Sequence, residues 1–418
     1  MSVLDAEILV IGGGMAGVAA ALSAVEAGRR VALVKRAPGA TSMSTGAFDL
    51  APHPRGWHLA KPDRDPTQLE CLEALVRASP GHPYALIGRA NEAEYLQEAF
   101  SFVLEKLEAG GLPHANFDPR DPGHHAVTST GRLRRAASSQ ASHVLRDFNP
   151  DRARIGVVRL ARCLGGLTGP PPMGGNVIEV DWPSSKNAPF LLPADIGKLL
   201  DEEGESRRFV EIVVAACKGR GFSHIVLPPV LGVFRTREIL NELEEATRAV
   251  CCEALGGEAS LPGIRLENAL RRSLERAGVT VETGRTLDGA EVLERRGGPV
   301  VLASGRFIGG GVARRQGSMT ETVFGLPIHD GESYLDDQPA EMLSCRSYRG
   351  PHSLFRAGLR VDDLLRPLDM GNRPLHETFF AAGSVIGGYD PHVDGCGLGV
   401  AVVTGYRAGR LAAGLEAS

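Results

Sequence analysis

A strand, a glycine turn and a helix of small residues open the chain, and they constrain its fold more than any other segment. Residues 8–11 are apolar, and Gly12, Gly14 and Gly17 follow in the spacing G-x-G-x-x-G. In a dinucleotide-binding fold the first glycine makes the tight turn, the second lets the backbone approach a pyrophosphate, and the third lets the helix pack closely. A second strand, predicted at residues 30–34, closes a βαβ unit. The segment therefore predicts a nucleotide site at the start of the first helix.

The same segment has a competing interpretation, because residues 8–25 carry no charge over a length close to that of a membrane span. The glycines argue against a span, and Asp5 and Glu7 stand where a secretory signal would carry positive charge. The formal net charge of −4 over 418 residues indicates neither a nucleic-acid partner nor binding to an acidic membrane surface. The length is sufficient for two domains.

The seven cysteines show no C-x-x-C spacing, so neither an iron–sulfur cluster nor a structural zinc is predicted. An odd number of cysteines without paired spacing fits a reduced, cytoplasmic protein. A helix is predicted over residues 236–255, and Cys251 and Cys252 are interpreted as packing residues within it.

The order of predicted strands and helices indicates an α/β fold, with a Rossmann-like FAD/NAD(P)-binding domain and an inserted mixed α/β domain. The nucleotide domain is predicted at residues 1–66, where 51–66 is a connection, and resumes at 261–418. The inserted domain is predicted at 67–260. An amphipathic helix is predicted over 92–109.

The residues after the second strand depart from the usual dinucleotide pattern. A typical adenine-dinucleotide fold places an acid there, which holds the ribose hydroxyls. Lys35 and Arg36 stand in its place, which allows a changed ribose contact, a 2′-phosphate or a shorter cofactor. The small and hydroxylated residues 40–50 suit a loop along the pyrophosphate and ring of a flavin, or an ordinary turn.

Two late segments repeat the strand-to-glycine pattern. Residues 300–305 predict a strand that ends in Ala-Ser-Gly, and 379–388 predict a strand that runs into a glycine turn before the last helix. In FAD-dependent oxidoreductases such a helix begins at the pyrimidine edge of the flavin, where the reduced anion is negative. The residues predicted to bind flavin are Gly12, Gly13, Gly14, Met15, Ala16, Gly17, Lys35, Arg36, Ser44, Thr45, Gly46, Ala303, Ser304, Gly305, Gly383, Ser384, Gly397, Leu398, Gly399 and Val400.

Other polar clusters give weaker signals. Three histidines among prolines and aspartates match no standard metal spacing, so no metal is predicted: His114, His124 and His125. Three arginines fit either an anionic substrate or, as we favour, a solvated loop: Arg132, Arg134 and Arg135. Three residues before the last helix are weak candidates for a catalytic acid or base: Asp390, His392 and Asp394.

These motifs together resemble the B subunit of anaerobic glycerol-3-phosphate dehydrogenase. The most specific are Leu-Ala-Ser-Gly-Arg-Phe-Ile-Gly-Gly-Gly at 302–311 and Ala-Gly-Ser-Val-Ile-Gly-Gly-Tyr-Asp-Pro at 382–391. The resemblance also includes 263–269 and the region of His82 and Tyr84, and it covers most of the chain. It implies a flavin subunit, conventionally described with FMN, that acts with a catalytic FAD subunit and a membrane-associated iron–sulfur subunit passing electrons to quinone.

The two indications about the cofactor differ. The glycine turn is built for a diphosphate, which favours FAD, whereas the family description and Lys35 keep FMN as the alternative. The expected function is participation in the oxidation of glycerol 3-phosphate to dihydroxyacetone phosphate, with the isolated chain inactive. One alternative is a self-sufficient FAD-dependent dehydrogenase or reductase of another small acid or alcohol. The other is a non-catalytic, flavin-binding assembly subunit. A cytoplasmic location is expected, with attachment at the inner membrane through the partner subunits as a further expectation.

Overall fold

The computed structural model describes residues 3–54, 64–87, 92–182, 190–257, 259–315, 317–335, 338–347 and 352–416. The strands within these residues are β1 Ile8–Ile11, β2 Val31–Lys35, β3 Ala47–Phe48, β4 His124–Val127, β5 Leu133–Ala136, β6 Ser138–Ser139, β7 Ile155–Leu160, β8 Asn176–Val180, β9 His224–Leu227, β10 Val250–Glu253, β11 Thr280–Thr283, β12 Val300–Leu302, β13 Val312–Arg315, β14 Ser318–Glu321 and β15 Phe379–Ala381. The α-helices are α1 Met15–Glu26, α2 Gln68–Ala78, α3 Pro83–Leu86, α4 Ala93–Ala109, α5 Pro193–Leu200, α6 Glu203–Cys217, α7 Thr236–Thr247, α8 Leu261–Arg276, α9 Gly289–Arg295, α10 Ser353–Arg356 and α11 Gly397–Ala413.

Five parallel strands form the first sheet, in the order β11-β2-β1-β12-β15. Its central strand is β1, in which Leu9 lies opposite Ala32 on one side and Val300 on the other. Every residue of β1 is buried, as expected for a parallel strand covered on both faces. The βαβ unit predicted from the sequence is confirmed, and the sheet combines strands from both ends of the chain.

The uncharged segment 8–25 divides between β1 and α1, so it is not one long helix. The turn between the two elements contains the three consecutive glycines. Among the residues described here, no helix combines the length and apolar character needed to cross a bilayer.

Helices α1 and α11 pack directly against each other, although they come from opposite ends of the chain. A Cβ at Gly405 would overlap the carbonyl oxygen of Ala16, and a Cβ at Gly409 would overlap that of Ala20. The two glycines are one helical turn apart on α11. Their lack of side chains therefore lets the two helix backbones touch.

A second parallel sheet lies within the predicted insertion, in the order β10-β9-β7-β8. It has its own core, which includes Trp182 and Phe209. Residues of α2 and α4, such as Leu72 and Phe100, instead join the core of the first sheet. The domain limits proposed from the sequence remain a prediction, and positions 55–63 of the connection lie outside the described residues.

The helix predicted over 92–109 is confirmed as α4, but the helix predicted over 236–255 is too long. Helix α7 ends at Thr247, and Arg248 follows in the left-handed conformation with φ 60°. Cys251 and Cys252 then lie in strand β10. A short buried apolar run is compatible with either a helix or a strand, and pairing of β10 with β9 selects the strand.

Candidate cofactor site

The turn between β1 and α1 is fixed by two close backbone contacts. Gly12 has a φ of +120°, and a Cβ there would overlap the carbonyl oxygen of Ala303 after β12. A Cβ at Gly17 would overlap the carbonyl oxygen of Gly12 itself. These two glycines are therefore required by packing, independently of any ligand.

Gly14 differs from the other two glycines of the motif because a Cβ there would meet no backbone atom of the described residues beyond its chain neighbours. A Cβ there would meet only Thr41 Oγ1, at 3.3 Å. The same hydroxyl accepts the N–H of Met15, the first residue of α1, at 2.9 Å. The N–H groups of Ala16 and Gly17 belong to the first turn, which has no intrahelical acceptors. The start of α1 thus provides the space and the donors that a phosphate needs.

The end of β2 carries Lys35 and Arg36 at the positions predicted from the sequence. The Lys35 stem lies over the turn, since a Cβ at Gly13 would come within 2.5 Å of its Cδ. Its Nζ lies 3.6 Å from Glu267 Oε1 on helix α8. Arg36 is exposed, and its guanidinium lies beside Gly310. Sequence reasoning missed Glu267 because it is remote from β2 along the chain.

The segment that follows links the two sheets. The Thr45 carbonyl accepts the N–H of Gly256, which follows β10, at 2.8 Å. Gly46 has a φ of +87°, and a Cβ there would come within 3.0 Å of His143 Nε2. Ser44 Oγ is buried and has no hydrogen-bond partner among the described residues. The predicted flavin loop therefore lies at the junction of the nucleotide sheet and the inserted sheet.

The segments after β12 and β15 meet beside this turn. Ser304 Oγ is buried and has no partner among the residues described. Gly305 has a φ of +76°, and its nearest side-chain neighbour is Ser384 Oγ, 3.7 Å from a Cβ position. Gly383 lies between the first turn of α1 and the second turn of α11, because a Cβ there would contact Ala16 and Ala401. The first turn of α1 therefore lies against α11 near Ala401 and Gly405.

Arg306, which sequence reasoning missed, fixes the segment between β15 and α11. Its buried guanidinium donates to the carbonyls of Ser384 at 2.8 Å and of Ile386 and Tyr389 at 3.0 Å each, and to that of Phe355. Burial holds its pKa below the ordinary arginine range. The only sequence feature that could have drawn attention to Arg306 is its position directly after Ala-Ser-Gly. Arg306 holds the backbone that carries Gly383 and Ser384.

The start of α11 is packed against side chains. Gly397, Leu398, Gly399 and Val400 form its first turn. The N–H of Val400 donates to the Cys396 carbonyl at 2.8 Å, whereas the three residues before it have no intrahelical acceptor for their N–H groups. A Cβ at Gly399 would lie 2.5 Å from both the Asp49 carbonyl oxygen and Tyr84 Oη. The helix dipole at this end favours a nearby negative charge by about 0.3–1 kcal/mol.

A buried aromatic and sulfur cluster adjoins this helix. His82 Nδ1 accepts the N–H of Tyr84 at 3.2 Å, and His82 Nε2 lies 3.5 Å from Cys396 Sγ. The His82 ring also contacts Tyr389, with ring centroids 5.3 Å apart. Burial, with Arg356 and Arg306 nearby, lowers the pKa of His82 to about 3. His82 is therefore neutral at physiological pH, and the tautomer with the proton on Nε2 satisfies both contacts.

The three weak catalytic candidates lie in the turn before α11. Asp390 Oδ1 accepts the N–H of His392 at 2.8 Å, and Asp394 Oδ2 accepts the N–H of Asp390 at 2.9 Å. Burial raises the pKa of Asp394 above its ordinary value. His392 is exposed. The two carboxylates brace the turn, and a catalytic role for any of the three residues remains a prediction.

The arginine cluster is largely neutralised by carboxylates. Arg134 donates to both oxygens of Asp49, at 2.7 and 2.9 Å, and Arg135 Nε donates to Asp65 at 2.9 Å. Arg132 is exposed just before β5, but Arg134 and Arg135 lie within strand β5 and are partly buried, so the prediction of a solvated loop is wrong for these two. Because the guanidiniums of Arg134 and Arg135 are already paired with carboxylates, they do not form an open binding site for an anion.

The three histidines considered for a metal do not converge on one. Within the described ranges, no group of three or more His, Cys, Asp or Glu side chains could hold a metal ion. His124 Nε2 lies 2.8 Å from Ser139 Oγ, and His114 Nδ1 lies 2.8 Å from the Leu112 carbonyl. Burial lowers the pKa of both histidines to about 4.

The arrangement fits a flavin dinucleotide. Gly14 and Gly305 have space for a ligand beside their Cα atoms, and two buried serine hydroxyls, of Ser44 and Ser304, are unpartnered within the described residues. The first turn of α1 packs beside α11, and the two helix N-termini suit a phosphate and a negative ring edge respectively. The structure brings the predicted binding segments together, while direct contact of each residue with flavin remains a prediction.

Comparison with known proteins agrees with this arrangement. Residues 7–164 match the family model described as FAD binding domain, which confirms the preference for FAD over FMN. The chain is 26% identical over 433 aligned positions to the B subunit of the anaerobic glycerol-3-phosphate dehydrogenase of Vibrio cholerae serotype O1 (strain M66-2), covering 96% of this chain and 95% of that protein. The protein of the same name from Pectobacterium atrosepticum is 28% identical over 426 positions, covering 95% and 96%.

Among solved structures, the 3-ketosteroid-delta4-(5alpha)-dehydrogenase of Rhodococcus jostii RHA1, in complex with 4-androstene-3,17-dione, matches at 14% identity and a TM-score of 0.38. The match covers 98% of this chain and 96% of that one, but the score is too low to bear on function. The chain is thus an FAD-binding oxidoreductase that resembles the B subunit of anaerobic glycerol-3-phosphate dehydrogenase over nearly its whole length.

Proposed function

We propose that this chain is a flavin subunit of a glycerol-3-phosphate:quinone oxidoreductase in anaerobic respiration. It takes part in the oxidation of glycerol 3-phosphate to dihydroxyacetone phosphate. The observation that carries the proposal is the collinear match to the two B subunits described above, which spans 95–96% of their length. A match of that extent includes the inserted sheet as well as the FAD-binding residues.

Bound FAD would supply the acceptor for a pair of electrons. The residues expected to hold it are the glycine turn at Gly12–Gly17 for the pyrophosphate and the loop at Ser44–Gly46 for the ring. The first turn of α11 would stabilise negative charge at the pyrimidine edge. Arg306 fixes the neighbouring backbone through four carbonyls, so this edge is held in place before the cofactor binds.

The isolated chain is proposed to be inactive toward glycerol 3-phosphate. A phosphate monoester needs cationic donors, and Arg134 and Arg135 are engaged by Asp49 and Asp65. The relatives are named as one subunit of a larger enzyme, which implies partner subunits. We propose that these are a catalytic FAD subunit and a membrane-associated iron–sulfur subunit, which attach a cytoplasmic chain to the inner membrane and pass its electrons to quinone.

The test uses the full chain with FAD bound, mixed with glycerol 3-phosphate and an artificial dye. We expect no substrate-dependent dye reduction above that of the Gly14→Val variant, which serves as the flavin-deficient control. Rapid dye reduction by the single chain would overturn the subunit proposal in favour of a self-sufficient dehydrogenase.

A second measurement separates an electron-transferring subunit from an assembly subunit. The tagged chain is expressed together with its proposed partners, and the complex is purified and mixed with glycerol 3-phosphate. An interface of more than about 1,000 Å² is expected for a stable complex. Bleaching of the flavin on this chain supports the proposal, whereas a flavin that stays oxidised while the complex turns over would show that its role is structural.

A further inference from the structure

At the adenosine end of the cofactor site, a lysine stands where dinucleotide-binding folds usually have an acid. In a dinucleotide fold the residue after β2 is normally an acid, and its carboxylate accepts hydrogen bonds from the ribose hydroxyls. Lys35 stands at that position, at the end of β2. An ammonium group only donates hydrogen bonds, so Lys35 cannot accept a hydroxyl proton as a carboxylate does.

A carboxylate nevertheless reaches this place from another part of the chain. Glu267, in the second turn of α8, has Oε1 at 3.6 Å from Lys35 Nζ. The two side chains are 24% and 17% exposed, so the pair is partly buried but open to a ligand. At 3.6 Å the contact is an ion pair rather than a direct hydrogen bond, and both carboxylate oxygens keep their accepting capacity.

The position of Glu267 is fixed by the start of its helix. Ser260 caps α8 by accepting the N–H of Gly263 at 3.0 Å, and it also donates to the Ser44 carbonyl. A Cβ at Gly263 would overlap the Ser42 carbonyl, so α8 lies directly against the segment after β2. The helix therefore carries Glu267 to the edge of the sheet where β2 ends.

We propose that Glu267 binds the ribose diol of the adenosine half of FAD, and that Lys35 holds the carboxylate there. The inference depends on FAD binding by this domain and is independent of the substrate and partners proposed above. Of the three explanations of Lys35 that the sequence left open, the proposal selects a changed ribose contact. Because Glu267 offsets the charge of Lys35, the site favours a free ribose diol over a 2′-phosphate.

The test compares FAD with an FAD whose adenosine is 2′-deoxyadenosine, titrated into flavin-free protein and followed by flavin fluorescence. The native chain should bind FAD about tenfold more tightly than the deoxy analogue, as expected for the loss of one hydrogen bond to a charged acceptor. In Glu267→Gln this preference should fall to less than about threefold. Glu275→Gln is the matched control, because Glu275 lies on the same helix and pairs with Arg271.

Two results would overturn the assignment: a native chain with no preference for the ribose hydroxyl, or a preference that persists in Glu267→Gln. A double variant, Lys35→Glu with Glu267→Lys, covers the case in which the single variant does not fold. It keeps the ion pair and returns the acid to the end of β2, so it should retain the preference. Loss of the preference in that folded double variant would also contradict the proposal. Activity is not measured, so failure here is distinguishable from failure of the proposed function.

Discussion

The two helix N-termini assigned to the cofactor site are built in opposite ways. At the start of α1, a Cβ at Gly14 would meet Thr41 Oγ1 at 3.3 Å but no backbone atom of the described residues beyond its chain neighbours. At the start of α11, a Cβ at Gly399 would collide with Tyr84 Oη and the Asp49 carbonyl. Both sequences are rich in glycine, but one glycine leaves room for a ligand and the other leaves room for the protein.

A glycine motif does not by itself reveal what occupies the space beside it. Within the first motif, Gly12 and Gly17 serve backbone packing and only Gly14 faces the position expected for the pyrophosphate. Substitutions should therefore separate folding from cofactor retention at α1. Beside the start of α11, substitutions should change the free energy of unfolding, and at His82 this change should depend on pH.

The largest effect is expected for Gly17→Val. A side chain there would overlap the Gly12 carbonyl and force α1 away from the turn. The free energy of unfolding of the flavin-free protein should fall by about 3 kcal/mol or more. Urea unfolding of the flavin-free protein measures this change, and a loss below about 1 kcal/mol would mean that the turn can relax.

Gly14→Val should weaken cofactor binding while leaving folding nearly unchanged. Its branched side chain would fill the space where a phosphate approaches the helix, so FAD affinity should fall at least about 100-fold. The free energy of unfolding without flavin should change by less than about 1 kcal/mol, because only Thr41 lies nearby. Fluorescence titration and urea unfolding test the two parts, and unchanged flavin occupancy would place the pyrophosphate elsewhere.

The α11 side should respond to pH through His82. Its pKa is lowered to about 3 in the folded state, against about 6.5 when unfolded, so the unfolded chain binds an extra proton below pH 6.5. Above pH 6.5, His82 therefore does not lower the free energy of unfolding. Below pH 6.5, the free energy of unfolding falls by about 1.4 kcal/mol for each pH unit. His82→Asn keeps an acceptor for the Tyr84 N–H and should make the slope of stability shallower by about that amount between pH 6 and 4.

Urea unfolding of flavin-free protein at several pH values measures these slopes. Gly14→Val removes no titratable group, so its slope should equal that of the native chain. An unchanged slope in His82→Asn would show that His82 takes up its proton in the folded state as readily as in the unfolded one.

The smallest effect is expected for Tyr84→Phe. The Tyr84 hydroxyl is buried without a hydrogen-bond partner among the described residues, so its removal should leave the free energy of unfolding within about 1 kcal/mol or raise it. Tyr406→Phe is the matched control, since Tyr406 Oη donates to Glu98 at 2.7 Å and its removal should be destabilising. A loss of about 2 kcal/mol or more in Tyr84→Phe would reveal a partner for its hydroxyl.

The local parts of the site were predictable from the sequence, and the long-range pairs were not. Strand, glycine and helix occur consecutively around Gly12 and before Gly397, so their order alone indicated two helix N-termini. Glu267 is separated from Lys35 along the chain by the whole inserted sheet, and Arg134 lies 85 residues after Asp49, so no local pattern indicated either pair. The strand at Cys251 was missed because a short apolar run does not distinguish a strand from a helix without its pairing partner.

The packing of α1 on α11 has a consequence for synthesis on the ribosome. Strand β1 and helix α1 are synthesised well before β12, β15 and α11. Until then the central strand lacks one neighbour and α1 lacks the glycine face of Gly405 and Gly409. A nascent chain thus carries the phosphate turn without the rest of the cofactor site. The complete binding site can therefore form only after α11 has emerged and packed on α1.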